Sequence, residues 1–353
     1  MISKMAPCPT SEVRFSPWSQ NAVIISKKRS LRPGVRPVHP GNAGNNAPPD
    51  SKALAVEKKT CGGCHDELTP PQISVYYLDN DPEARVRVVP NKYSCFGEAP
   101  SDSRYQREPG FDGIADPDGR CEVLFEVPAS KHSSPFYNLS TDEVDLTMRA
   151  VGDRYKALRS NPKVRFFFAF KNDGKDAGGT LRHPHWQIYF LPFIPPEIQA
   201  RYERAAEYFN HTGRSLFRDV VSAEIASGER VIKSSKHFVT FVPFAAEVPY
   251  QVCISPLRDS ADFSEITPEE RRDVAESLRD AVARLCGVHP NLAFNIVLNT
   301  AAYEHASAPW YCWHLMILPR LTTLASVELG LHVMVNPVSP EDAATALRKV
   351  PTA

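Results

Sequence analysis

Two rhythms of apolar residues alternate along this chain, and the same order of rhythms occurs twice. In the first run, Val123-Leu124-Phe125-Glu126-Val127 reads as a strand ending at Pro128. Ser140 and Glu143 then form a capping-box pattern, and Val144, Met148, Val151, Tyr155 and Leu158 follow at helical spacing. In the second run, Val252 and Ile254 lead to Pro256, and Thr267, Pro268 and Glu270 open a helix whose buried positions are Val274, Leu278 and Leu285. Each helix precedes an apolar strand, Val164 to Phe170 or Leu292 to Leu298. Each strand precedes a histidine-containing segment, His183-Pro184-His185-Trp186-Gln187-Ile188 or Cys312-Trp313-His314-Leu315-Met316-Ile317. The two copies are displaced by about 127–129 residues. The pattern predicts an α+β fold: a tandem duplication, mainly antiparallel, with one long helix covering the apolar sheet face of each copy. Residues 1–195 and 196–353 are the expected units. The stretch 32–50, rich in Pro, Gly and Asn, reads as a mobile insertion.

Composition narrows the class. With 353 residues, 42% hydrophobic and 23% charged, the chain has room for two globular domains. No apolar run approaches the ~18 residues of a membrane span, and Met1 to Ser16 carry no signal-type apolar stretch, so the cytoplasm is the expected compartment and no membrane partner is expected. Lys plus Arg equals Asp plus Glu, 41 against 41, which argues against nucleic acid as a partner. Eight cysteines in a reducing compartment suit metal ligands or buried apolar positions better than disulfides.

The candidate chemistry gathers at His183-Pro184-His185-Trp186-Gln187, where two imidazoles two residues apart face the same side of an extended strand. One can bind metal while the other reacts. Directly upstream, Asn172-Asp173-Gly174-Lys175-Asp176-Ala177-Gly178-Gly179-Thr180 has the glycines to turn backbone N–H groups toward an anion. Asn172 and Thr180 add side-chain donors to this phosphate cradle. An imidazole that attacks an α-phosphorus splits a difficult displacement into two easier ones, so His185 is the candidate nucleophile and Gln187 a donor to the same phosphate. Cys61-Gly62-Gly63-Cys64 offers two thiolates at zinc-knuckle spacing, and His132 and His183 can complete a closed, structural shell. A redox CxxC and, with His65, a haem-attachment CxxCH are the competing readings. In the second copy Cys312, His314 and Met316 stand opposite His183, His185 and Gln187, so that copy has lost the primary chemistry. His314 is left as a residue that binds ligand, holds a second metal or is merely structural.

Taken together, these residues resemble the galactose-1-phosphate uridylyltransferase family of the histidine triad superfamily, whose relatives include nucleotide-sugar and dinucleotide phosphorylases. The resemblance implies tandem histidine-triad-like domains, a zinc ion on Cys61, Cys64, His132 and His183, and ping-pong transfer of a nucleoside monophosphate, UMP by default, from a nucleoside diphosphate sugar to a sugar 1-phosphate through His185. It places Asn172, Gly178, Gly179, Thr180 and Gln187 around the phosphates. Arg29, within Ile24 to Pro33, is expected to approach the phosphates, and Asn91, within Val89-Pro90-Asn91-Lys92-Tyr93, to contact the nucleoside. Trp313 to Leu321 and Asn336 to Ala344 are similar to the family's C-terminal signature. A homodimer is implied. The chain departs from the family at Ser215-Leu216-Phe217-Arg218, where relatives often carry a second CxxC, and at Trp186, which replaces a small residue and is expected to narrow the pocket. A phosphorylase using inorganic phosphate and an adenine nucleotide is the alternative activity, and a non-catalytic nucleotide-binding protein the second.

Overall fold

A computed structural model describes residues 11–19, 21–27, 29, 50–78, 81–96 and 119–352. The stretch 32–50 therefore lies outside the described residues except for Asp50, which caps the first helix. In chain order the elements are β1 (Ser11–Phe15), β2 (Ala22–Ser26), α1 (Ser51–Lys59), β3 (Ser74–Leu78), β4 (Asp81–Pro90), β5 (Arg120–Phe125), α2 (Thr141–Leu158), β6 (Phe166–Asp173), β7 (His185–Leu191), α3 (Pro196–Thr212) and α4 (Leu216–Ser227). There follow β8 (Val231–Ser234), β9 (Phe238–Phe241), β10 (Val252–Pro256), α5 (Pro268–Val288), β11 (Phe294–Asn299), β12 (His314–Pro319), α6 (Ser326–Leu331), β13 (Met334–Asn336) and α7 (Pro340–Arg348).

Both capping boxes form. The Ser140 and Thr267 hydroxyls accept from the Glu143 and Glu270 amides, and each glutamate reaches back to the cap N–H. The two copies share one sheet. A single ten-stranded antiparallel sheet runs β3-β4-β5-β7-β6-β11-β12-β10-β9-β8, with β6 paired to β11 from Ala169↔Leu298 to Asp173↔Phe294. Joining there removes one open edge from each copy. The order reads as a mirror about the seam, so β7 with His185 corresponds to β12 with His314. Helices α2 and α5 lie side by side on one face, linked by Arg271 to Asp145 at 2.9 Å. There Val144, Val151, Val274 and Leu278 bury Phe167, Ala169, Trp186, Ile188, Ile296 and Leu315. The opposite face of the second half is covered by α3, α4 and Trp18 through Tyr202, Phe217 and Val221. A small sheet joins β1 and β2 to β13, with β13 parallel to β2.

Candidate active site and metal centre

Pro184 cannot donate to a ladder, so β7 begins at His185 and not at His183. His183 instead sits in the turn ahead of the strand, where the Pro184 carbonyl accepts from the Glu126 amide at 3.1 Å. That turn points the His183 ring at the cysteine knuckle. Cys61 and Cys64 are held in a tight turn in which the Cys64 and His65 amides both donate to the Cys61 carbonyl at 3.0 Å. His132 follows a short 3₁₀ turn, Ala129–Lys131, beyond β5. The four ligand atoms of Cys61, Cys64, His132 and His183 all lie within 4.8 Å of one another, a spacing that a tetrahedral ion would close. Cys64 Sγ is 3.1 Å from His132 Nδ1 and 3.6 Å from His183 Nδ1. His183 Nε2 lies 2.8 Å from the Val127 carbonyl, which can only accept. That fixes the tautomer and leaves the Nδ1 lone pair for a ligand. This Cys2His2 group could hold a metal ion. His65, by contrast, is turned out to solvent beside Glu67.

Two residues that the sequence reading passed over hold the knuckle in place. Arg87, almost fully buried on β4, donates to the Gly62 carbonyl and to Thr69 Oγ1, and its guanidinium lies over the Phe125 ring. Gly63 packs directly on His183: a Cβ there would come within 2.5 Å of the imidazole. Gly63→Ala is therefore expected to displace a ligand and weaken metal binding by on the order of 10–100-fold, measured by competition with a chromophoric chelator. An unchanged affinity would mean that the His183 ring is not a ligand.

His185 is 4% exposed and opens β7 on the face away from α2 and α5. Its Nδ1 lies 2.8 Å from the His183 carbonyl, so Nδ1 must carry the proton. Burial, helped by the Lys171 ammonium, lowers its pKa to about 4. The ring is thus neutral near pH 7 with a free lone pair on Nε2.

Ahead of it, Gly174 and Gly178 take φ of 90° and 80°, values that favour glycine. Gly179 folds back on the loop, its amide donating to the Gly174 carbonyl at 2.9 Å. Asn172 is gripped from across the seam, its Oδ1 accepting from Asn295 Nδ2 at 2.8 Å; the same Nδ2 also donates to the Ala177 carbonyl at 2.8 Å. The cleft, about 830 Å³ in volume, is lined by Asn172, Gly178, Gly179, Thr180, His183 and His185 together with Cys61 and His132. It can therefore present an anion to an uncharged imidazole beside a metal site.

Other candidates fall elsewhere. Gln187 is half-buried on the His185 face, in register with Val123 and Phe170, and does not line this cleft. Asn91 lies past β4, its amide donating to the Cys121 carbonyl at 2.8 Å, and Arg29 is exposed; neither lines the cleft. Trp186 corrects an expectation. It points to the helix-covered face, fully buried, and donates from Nε1 to Glu126 at 2.8 Å, so it does not narrow the cleft. Glu126 also pairs with the buried Lys171, a network that the sequence reading missed. The available signal was a charge of each sign beside apolar runs, Glu126 after Phe125 and Lys171 after Phe170. At Ser215 the hydroxyl caps α4, accepting from the Arg218 amide at 3.4 Å.

His314 lies in an aromatic nest, its ring 5.1 Å from Trp18 and 5.5 Å from Phe217, and burial lowers its pKa to about 4. Above pH ~6.5 the folded and unfolded imidazoles are both neutral. Below it, the unfolded chain takes up a proton that the folded chain refuses until about pH 4. Stability from this group is thus lost as pH falls through that window, by roughly 2 kcal/mol at pH 5. Urea midpoints at pH 7 and 5 are expected to show the loss, and His314→Gln to flatten it. Equal slopes would contradict the burial of a neutral ring.

The model of the galactose-1-phosphate uridyl transferase N-terminal domain matches residues 8–195, and that of the C-terminal domain matches 201–351. The chain belongs to the galactose-1-phosphate uridylyltransferase family. As a member, it is a nucleotidyltransferase. An ADP-glucose phosphorylase from Arabidopsis thaliana is 27% identical, over 96% of this transferase and 93% of its own length. A galactose-1-phosphate uridylyltransferase from Thermotoga maritima is 26% identical, over 96% and 98% respectively. The solved structure of an Arabidopsis thaliana ADP-glucose phosphorylase with bound ADP-glucose shares the fold, with a TM-score of 0.77 at 24% identity over 97% of this transferase and 100% of that chain. Among the described residues, no helix is long and apolar enough to cross a membrane.

Proposed function

We propose that the transferase takes a nucleoside monophosphate from a nucleoside diphosphate sugar onto His185 and passes it to a phosphate-bearing acceptor. The observation that carries this reading is the neutral His185 ring, its Nδ1–H tied to the His183 carbonyl and its Nε2 free at the glycine loop. The Nε2 lone pair attacks the α-phosphorus. The bond from that phosphorus to the bridging oxygen breaks, and sugar 1-phosphate leaves with the electron pair. An acceptor phosphate oxygen then attacks the same phosphorus and the pair returns to Nε2. Asn172, the Gly178 and Gly179 region and Thr180 would hold the phosphate oxygens, while Gln187, Arg29 and Asn91, which lie outside this cleft, would meet the parts of the donor that extend beyond it, Asn91 the nucleoside. Cys61, Cys64, His132 and His183 would hold zinc. With all four positions filled by protein, the ion supplies shape to the His183–His185 turn and no Lewis acid for the substrate. UMP and a sugar 1-phosphate are the default donor group and acceptor, and a homodimer the expected assembly, measurable by light scattering.

A second reading, an adenine nucleotide donor with inorganic phosphate as acceptor, is favoured by the Arabidopsis ADP-glucose phosphorylase match across 96% of the chain. One experiment addresses both. Protein incubated with a panel of UDP and ADP sugars, without acceptor, is expected to gain one nucleoside monophosphate on the His185 peptide, and the added mass names the base. Adding inorganic phosphate or a sugar 1-phosphate then shows which one removes it. No adduct from any donor would overturn the proposal.

A further inference from the structure

On the His185 face of the sheet, away from the cleft, two thiols meet. Cys121 on β5 is buried, whereas Cys95, in the segment after β4, is exposed, and their sulfurs are 3.6 Å apart. Tyr189 on β7, in register with Cys121, lies beside the pair and touches Phe96 edge-on at 6.2 Å. A disulfide needs its sulfurs at about 2.05 Å, so the gap must close by about 1.5 Å. The exposed segment carrying Cys95 can supply that movement, while Cys121 is fixed in a central strand. Four residues before Cys95, the Asn91 amide donates to the Cys121 carbonyl.

We propose that Cys95 and Cys121 form a reversible intrachain disulfide by exchange with a small-molecule disulfide such as oxidised glutathione, pinning the 91–95 segment to β5. The exposed Cys95 thiolate attacks one sulfur of the small disulfide, whose S–S bond breaks and releases one thiol. Cys121 then attacks the Cys95 sulfur of the mixed disulfide and expels the second thiol. Two cysteines are oxidised, one small disulfide is reduced to two thiols, and the two cysteine protons end on those thiols. Burial raises the Cys121 pKa, which makes Cys95 the point of entry and Cys121 the resolving partner. The further consequence, that pinning hinders the nucleotide donor, rests on the proposed function, in which Asn91 contacts the nucleoside. Drawing Cys95 inward moves it toward Tyr189, two residues beyond Gln187.

The test uses the full chain equilibrated with oxidised glutathione, blocked with N-ethylmaleimide and mapped by peptide mass spectrometry. A linked Cys95–Cys121 peptide pair, two hydrogens lighter than the separate peptides and restored by dithiothreitol, is expected. Cys121→Ser should stop at a stable glutathione adduct on Cys95, and Cys95→Ser should leave Cys121 reduced. Cys95 glutathionylated while Cys121 stays alkylatable in the parent chain, or Cys95 joined to another cysteine, would overturn the proposal. In the labelling assay, oxidation is expected to raise the donor concentration for half-maximal rate several-fold with little change in the maximal rate. An unchanged value would overturn the clamp. Because the linkage is read by mass alone, its result stands even if no donor labels His185.

Discussion

His185→Ala is expected to abolish covalent nucleotide labelling, lowering turnover by on the order of 10⁴-fold or more, while leaving metal content unchanged. Of the two cleft imidazoles whose second ring nitrogen is committed to a backbone carbonyl, His185 and His183, only His185 keeps its free nitrogen clear of the cysteines. His183 uses Nε2 on Val127 and turns Nδ1 toward Cys64. Truncating a buried ring costs some stability, so the readout is the adduct by intact mass, compared at equal folded fraction with metal counted by elemental analysis. An adduct persisting on the variant would remove His185 from the mechanism. Labelling lost together with the metal would show that the substitution acted through the fold.

The second large effect is expected from the ligand set. Cys64→Ser and His132→Ala should each lower bound zinc well below one ion per chain and cost at least about 3 kcal/mol of stability, because binding energy at such a site is folding energy. The protein around the site supports this. His132 Nε2 is buried without a hydrogen-bond partner among the described residues. Burial and the neighbouring Cys61 raise the Cys64 thiol to about 11, so without a cation the cluster cannot place its charge. The loss should also reach the chemistry, since His183 supplies the carbonyl that sets the His185 tautomer. Elemental analysis with thermal unfolding checks both variants, and full zinc retention in either would break the four-ligand assignment.

The elements nearest the chemistry were the most legible in the sequence. Capping boxes at Ser140 and Thr267 and the helical spacing behind them report local physics, and both helices start where those signals stand. The Cys2His2 group was readable because cysteine pairs at knuckle spacing have few other uses. Pairing between copies was not readable, because periodicity tells which face of β6 is buried but not which strand lies beside it. Asn295 was invisible for the same reason: its contact with Asn172 exists only once β6 and β11 are neighbours. Arg87 and the Glu126–Lys171–Trp186 network are buried polar groups whose partners come from different strands. A one-dimensional reading sees such residues only as interruptions. Trp186 was misjudged because its neighbour His185 drew attention to the wrong side of the strand.

The grip of Asn295 on the glycine loop gives the second half of the molecule a part in the site of the first. Splitting the polypeptide between β7 and α3 would strip β6 of its neighbour and leave eight strand residues, Phe166–Asp173, as an open template for aggregation. The same cut would release the glycine loop from Asn295. Drift in the second copy is therefore bounded. Its His314 can sit in an aromatic nest, but the edge strand and the Asn295 amide that brace the first copy must stay.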